Sequence, residues 1–398
     1  MVTSSYPRFA GDVVAPFIES IARGVAARGH RVDVVLPHHP ELRRRDDEPV
    51  SFHPYRYAPL DRWSRWGYAQ SLRRDVSVRA GAFLLAPFVA FALRRIVAER
   101  LRATRYDVVH AHWVVPNAAL VGGLVRSHGV PLVVSLHGSD VFVAETLLPA
   151  RLLAGHVLRQ AGAVTACSAD LHRRAVRLGA RPERTRTVPY GVDRVAPTDV
   201  DVPAVRAQLG APSGSTLVLG LGRLVEKKGF TYLIEAVRNV PNVFLAIAGA
   251  GDLRAELEAQ AAASGAPVRL VGALDRDSVA AALEAAEVVV VPSIVDRAGN
   301  VDGLPNVLLE AMAAGRAVIA SRVAGIPDVV TDGVDGILVA EKDATGLAAA
   351  LTRLAADPAL RKRLGDAARV TVTRRLSWER AAQTFEESYA AAAALDAR

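Results

Sequence analysis

The C-terminal half of the chain carries six short, mainly apolar runs, at 217–221, 243–248, 268–271, 288–291, 317–320 and 337–339, interrupted by a charge only at Arg269. Helical patterns such as 253–263 and 278–286 lie between them. A strand without a polar face must be covered on both sides. Alternation with helices of about 10 to 15 residues then leaves one arrangement, a parallel sheet wound with helices on each face. This half is predicted to be a doubly wound α/β domain.

The N-terminal half repeats the pattern less regularly, with strands predicted at 32–36, 107–112, 132–136, 163–167 and 187–189 and helices at 17–28 and 118–128. Gly29 follows the first of these helices as a C-cap glycine does. The first strand reads as clipped, with Met1 to Ser4 standing where about five or six residues are usual. The polar, proline-broken stretch 191–203 reads as a linker, so the domains are expected at 1–195 and 196–376. A final helix over 377–398, with Ser377 as N-cap, is expected to pack back on the first domain. The total of 398 residues agrees with two domains of about 100 to 200 each. Two such domains face a cleft at the carboxyl ends of their strands, where open α/β sheets bind ligands.

The charge is divided between the halves. Residues 1–195 hold 28 Lys and Arg against 16 Asp and Glu, a net of +12, and residues 196–398 hold 21 against 25, a net of −4. A basic half favours anionic partners: nucleic acid, acidic lipid headgroups or phosphate-bearing small molecules. Within it, 80–93 is an apolar run of 14 residues with Pro87 inside, shorter than the roughly 20 that a membrane span needs. Arg94, Arg95 and Arg100 follow it, and the stretch 56–79, with Arg62, Trp63, Arg65 and Trp66, precedes it. These flanks suit an interfacial helix on an anionic membrane, and the same residues suit a buried helix pair of the first core. The one cysteine, Cys167, excludes an internal disulfide framework and a cysteine-based zinc site. With an opening MVTSSYPRFAGD that lacks the order of a secretory leader, it sets the expectation of a cytoplasmic protein.

Several chemistries are excluded by missing motifs. There is no GxxxxGK[ST], and GLGRLV at Gly220 and GAGDLR at Gly249 each lack the third glycine of a dinucleotide fingerprint. Asp275-Arg276-Asp277 has the form of a metal-binding acid pair but follows a strand and opens a helix, where Asp275 serves as a cap. His110 and His112 with His137 lack the carboxylate and spacing of a metal set. No metal and no cofactor is expected.

Three segments carry positive signals. Gly222 to Gly229, GRLVEKKG, runs from a strand into a helix, so Arg223 and Lys228 can converge on one diphosphate. Asp302-Gly303-Leu304-Pro305-Asn306 leads into VLLEAMAAG. Pro305 in the first turn and the amides of Leu304, Asn306 and Val307 describe a helix N-terminus suited to an anion. Glu310 follows about a turn later, and a carboxylate's paired acceptors suit the vicinal hydroxyls of a ribose. The third segment is Ser135-Leu136-His137-Gly138-Ser139-Asp140, with its histidine at a strand end.

With SSYPRFAGD, HAHW, VPYGVD and AGIPDVV, these segments resemble retaining nucleotide-sugar glycosyltransferases of the GT-B fold, family 4, across essentially the whole chain. The acids Asp302 and Glu310 match the family's pair separated by seven residues. The chain departs from the pattern at Asp302, usually Glu, at Tyr190, where Asn is common, and at Gly11, a single glycine where many members have two. The resemblance implies a α/β GT-B fold of two Rossmann-like doubly wound domains, acceptor-binding first and donor-binding second. It implies that Arg223 and Lys228 neutralise the donor diphosphate, Glu310 holds the ribose, and Asp302 with Gly303, Leu304, Pro305 and Asn306 holds the sugar and its phosphate. His137 would approach the sugar, Gly11 would admit donor and acceptor to the backbone, and Gly249 and Gly251 belong to the donor-binding set. Cations and a helix end can stabilise the leaving diphosphate without a metal. The implied donor is a UDP-, GDP- or ADP-sugar; the implied acceptor is a small molecule, a glycan or a lipid-linked or anionic group, with peripheral membrane contact and no nucleic acid. Two alternatives stay open: a nucleotide-sugar epimerase or phosphorylase on the same fold, and a non-catalytic module binding membrane or nucleic acid.

Overall fold

The structure, a computed structural model, describes residues 1–12, 14–45, 47–64, 66–67, 72–73, 77–78, 80–192 and 200–396. They form two compact units, Met1–Tyr190 with Trp378–Arg398, and Gly191–Ser377. Residues 193–199 of the expected linker, and with them the expected 195/196 boundary, lie outside the described residues, as do Arg65 and Arg79.

The first unit contains helices α1 (Pro16–Ala27), α2 (Ala80–Ala103), α3 (Ala119–Ser127), α4 (Ser139–Thr146), α5 (Leu148–Gln160) and α6 (Ala169–Leu178). Its strands are β1 (Val32–Pro37), β2 (Val50–Tyr55), β3 (Leu72–Arg73), β4 (Ser77–Val78), β5 (Val109–His112), β6 (Leu132–Leu136), β7 (Ala163–Ala166) and β8 (Thr185–Thr187). Strands β5 to β8 pair in parallel in sequence order, and β1 pairs in parallel with β2. Val2 joins the two groups, bridging Val35 of β1 on one side and Ala111 of β5 on the other. Its N–H donates to His110 O at 2.8 Å, and the Thr3 N–H donates to Val35 O at 3.0 Å. The few residues that read as a clipped strand thus hold the central position of one parallel sheet.

The sequence reading did not place β2, β3, β4 or helices α4, α5 and α6, and it left the form of α2 open. Strand β2 was not expected, because VSFHPY alternates and contains Pro54, a residue that a sheet tolerates at its edge. Helix α2 is a single helix of 24 residues that continues through Pro87, which excludes a helix pair, one of the two readings open for this stretch. It buries Val89, Ala92, Leu93 and Val97 and leaves Leu84, Phe88 and Phe91 exposed.

The second unit contains α7 (Val202–Leu209), α8 (Phe230–Val237), α9 (Arg254–Ser264), α10 (Arg276–Ala285), α11 (Asn306–Ala313), α12 (Ile326–Val329), α13 (Ala344–Ala356) and α14 (Pro358–Arg375). Its strands β9 (Thr216–Leu221), β10 (Val243–Ala248), β11 (Val268–Gly272), β12 (Val288–Val291), β13 (Ala317–Ser321) and β14 (Ile337–Val339) form one parallel sheet in the order β11-β10-β9-β12-β13-β14. The chain starts at β9 in the middle and winds outward twice, so β9 and β12 meet at a topological switch point. Leu233, Ile234, Leu245, Ile247, Val290 and Ile319 fill the core around it.

Helix α15 (Trp378–Asp396) belongs to the first unit. Its Ala381, Phe385, Tyr389 and Ala392 share a core cluster with Ile18, Ile21 and Val25 of α1. Glu386 adds an ion pair to Arg28 and a 2.8 Å contact to His30 at the rim.

Candidate active site

The switch point of the second unit delivers charge from both of its strands. After β9 the chain makes a short turn, Glu226–Lys228, before Gly229 and α8. Lys227 Nζ lies 3.1 Å from Asp302 Oδ1, and Lys228 Nζ lies 2.5 Å from Oδ2. Asp302 comes from the segment between β12 and α11. Burial pushes its carboxyl up, but the ammonium groups of Lys228 and Lys227 outweigh burial and hold it well below the usual carboxylate range. The acid is therefore ionised, and the cluster of two cations and one anion is net positive. Lys227, 5% exposed, is the more deeply placed of the two lysines. Arg223 stands exposed on the same loop.

The segment that carries Asp302 is tied down along its length. The Ile294 N–H donates to Lys227 O at 2.9 Å, and the Val295 N–H donates to Glu341 Oε2 at 2.7 Å. Asp296 Oδ1 accepts from the N–H groups of Ala298 and Asn300 at 2.9 Å each. Gly303 O accepts from the Gly325 N–H at 3.0 Å. Pro305 is extended and precedes α11 as its N-cap, instead of lying in the first turn, so the helix starts at Asn306 and has no side-chain cap. The first-turn amides at Asn306 and Val307 are thus left for an anion. Glu310 lies one turn further on; burial pushes its carboxyl up against the opposing pull of Arg276 and Lys228. Asn300 and Ser293 are buried on this segment, and Asn300 Oδ1 and Nδ2 and Ser293 Oγ make no hydrogen bond among the described residues.

Gly249 and Gly251 have a specific structural task beside β9. At φ +153° and +159° they let the loop after β10 lie against the loop after β9. A side-chain carbon would come within 1.8 Å of Gly222 O at the first and 2.4 Å of Leu224 O at the second. What these glycines admit in this structure is neighbouring backbone.

The first unit carries a neutral cluster at the ends of β5 and β6. His110 contacts Tyr389 Oη through Nδ1 at 2.8 Å and Ser135 Oγ through Nε2 at 2.6 Å. His112 Nδ1 contacts His137 Nε2 at 3.1 Å, and His137 Nδ1 contacts Tyr190 Oη at 2.8 Å. Burial lowers all three imidazoles, His137 to about 3, so they are uncharged near neutral pH. Among the described residues His112 Nε2 has no hydrogen-bond partner. A bare buried acceptor is tolerated better than an orphaned N–H. The favoured proton order is therefore His112 Nδ1–H to His137 Nε2, then His137 Nδ1–H to Tyr190 Oη. Phe17 stacks on Tyr190 at 4.8 Å between centroids, and Trp113 packs edge-on against His137 at 5.0 Å. Asp140 fixes the backbone here, accepting from the N–H groups of Val114, His137 and Gly138 at 2.9, 3.2 and 3.1 Å.

The second unit thus brings together Lys228, Asp302, Glu310 and the start of α11, with Arg223 on the adjoining loop. His137 and Gly11 lie in the first unit. Gly11, at φ +86°, sits on an exposed loop whose Asp12 accepts from the Arg8 N–H at 2.9 Å. Sequence reasoning missed the part played by Lys227, whose only signal was its place beside Lys228, and the linkage of His112 and Tyr190 to His137. Asp275 caps α10, its Oδ1 accepting from the Ser278 N–H at 2.8 Å.

Residues 201–371 match the family described as glycosyl transferases group 1, and residues 14–191 match the glycosyl transferase 4-like domain. A D-inositol 3-phosphate glycosyltransferase of Xylanimonas cellulosilytica is 34% identical over 332 residues, covering 77% of each chain. Among solved structures, a sucrose-phosphate synthase from Thermosynechococcus elongatus aligns at a TM-score of 0.76 and 24% identity, over 94% of this chain and 92% of the other. The Anabaena HepE structure in complex with UDP-glucose aligns at 0.75 and 20% identity over 98% of both chains. The chain belongs to the glycosyl transferases group 1 family and is a glycosyltransferase of the GT-B fold.

Proposed function

We propose that the protein is a retaining, metal-independent family 4 transferase that moves a hexose from a nucleotide-sugar to an anionic or lipid-linked acceptor in glycoconjugate biosynthesis, working in the cytoplasm at the membrane face. The observation that carries the reading is the Lys227–Asp302–Lys228 cluster at the switch point of the second unit, beside the uncapped N-terminus of α11. In the reaction the bond from the anomeric carbon to the diphosphate breaks with its electron pair passing to the phosphate oxygen. Lys228, Arg223 and the α11 amides stabilise the negative charge that develops there, which is why no metal is called for. The acceptor oxygen bonds the anomeric carbon on the face the diphosphate leaves, and its proton passes to the departing phosphate. Glu310 holds the ribose hydroxyls, and His137, neutral, approaches the sugar. A phosphate-bearing acceptor is supported by the basic first half and by the inositol phosphate in the name of the 34% identical relative.

The test is to incubate the protein with UDP-, GDP- and ADP-hexoses and with phosphorylated and lipid-linked acceptors, with and without EDTA. The expected result is nucleoside diphosphate release that depends on an acceptor, an anomeric configuration by proton NMR equal to the donor's, and no loss in EDTA. Inverted product, or activity abolished by EDTA and restored by a divalent ion, would contradict the mechanism; release from no donor would contradict the function.

A further inference from the structure

The first unit carries a second surface that transfer chemistry does not use. Over residues 80–93 helix α2 is apolar around its circumference: one stripe is buried, while Leu84, Phe88 and Phe91 on the opposite side are 76%, 61% and 71% exposed. A helix that is apolar all round belongs in an environment that covers it all round. Among the described residues the chain covers one side only. Helix α5 repeats the pattern, burying Ala150, Ala154, Val157 and Leu158 and presenting Leu148 and Leu152 at 68% and 64% exposure. Helices α2 and α5 both pack against α3. The connections β5-α3-β6 and β6-α5-β7 advance in the same direction along the parallel sheet, so α3 and α5 share a layer, and α2 joins it through α3.

The charges beside these stripes have one sign. Arg94, Arg95, Arg126, Arg151 and Arg159 are exposed on the three helices, and the single acid on them is Glu99. Five large exposed apolar side chains in one layer exceed the scattered exposure usual on a soluble surface. Among the described residues no single helix is long and apolar enough to cross a membrane. An apolar stripe with an arginine rim, on helices none of which is long enough to span alone and with α4 and α5 bent by 120° from each other, matches the boundary between lipid headgroups and acyl chains.

We infer that the α2–α3–α5 layer docks on an anionic phospholipid bilayer, with Leu84, Phe88, Phe91, Leu148 and Leu152 entering the boundary and the arginines meeting lipid phosphates. This rests on the membrane-face part of the proposed function and adds the surface responsible for it. The test is co-sedimentation of the full chain with phosphatidylcholine vesicles and with vesicles containing phosphatidylglycerol. Release of nucleoside diphosphate from the nucleotide-sugar panel is read on the same samples, so that a failed transferase reading shows there and not in the pellet. The wild type should pellet with the anionic vesicles and less so in high salt. The double variants Phe88→Ser/Phe91→Ser and Leu148→Ser/Leu152→Ser should each bind about tenfold or more weakly, with unchanged melting temperature because the positions are exposed. Arg94→Glu/Arg95→Glu should remove the preference for anionic lipid. Wild type that stays in the supernatant, or serine variants that pellet as wild type does, would overturn the inference. So would a wild-type dimer by light scattering that the serine variants dissolve without any vesicle binding.

Discussion

The charged site of the second unit and the histidine cluster of the first solve burial in opposite ways. At the switch point Asp302 stays ionised because two ammonium groups face it, so burial is compensated by pairing. At the ends of β5 and β6 the imidazoles give up their charge and form two runs of neutral hydrogen bonds, His110 to Tyr389 and His112 through His137 to Tyr190. A paired site keeps a net charge ready for an anionic ligand, whereas the neutral cluster offers orientation without field strength. The two sites should therefore respond differently to substitution and to acid.

The largest effect is expected at the charged site. Lys228→Ala should lower kcat/KM for the nucleotide-sugar by about 100-fold or more, as loss of one donor to a developing anion does; Arg223→Ala should follow in the same direction. Steady-state kinetics check both. Asp302→Ala should lower stability as well as activity, because the variant leaves Lys227 buried without its acid, and removal of one member of a buried pair costs about 3 to 5 kcal/mol. Urea denaturation should show this loss.

Acid separates the sites next. The folded-state pKa of each histidine in the cluster is lowered, so the unfolded chain binds more protons below about 6.5 and stability falls as pH drops from there. Each imidazole contributes up to about 1.4 kcal/mol per pH unit in that window, which for His137 extends down to about 3. Asp302 also has a lowered pKa, so its stabilisation is present above the ordinary carboxylate range and is lost only below it. Denaturation at pH 7 and pH 5 should differ mainly through the histidines, and His137→Gln should flatten the slope.

The smallest effect is expected at Tyr190. Tyr190→Phe removes the hydroxyl from His137 Nδ1 and should cost about 1 to 3 kcal/mol by leaving a buried polar atom unsatisfied. The melting temperature checks it. A cost no larger than that of an exposed tyrosine would detach Tyr190 from the relay.

Legibility followed the range of the interactions involved. The strands of the second unit were readable because burial on both faces makes runs such as 243–248 and 288–291 apolar without interruption. The edge strand β2 was not, since its exposed and proline-bearing residues carry no such signature, and the central placement of Val2 depends on partners at Val35 and Ala111. The motif around Lys228, Asp302 and Glu310 was legible as residue types at strand and helix ends. That Lys227 faces Asp302 as closely as Lys228 does was not, because local sequence does not say which of two adjacent lysines turns inward. The His112–His137–Tyr190 chain joins three segments distant in sequence, and only folding brings them into register.

In the proposed function the lysine-bearing loop after β9 holds the donor diphosphate. Calorimetric titration of UDP, GDP and ADP into the wild type and into Lys228→Ala tests it most directly. One of the three should bind the wild type, and the variant should bind it about 10-fold to 100-fold more weakly, the range for a hydrogen bond to a charged group. Equal affinity in the two proteins would contradict it.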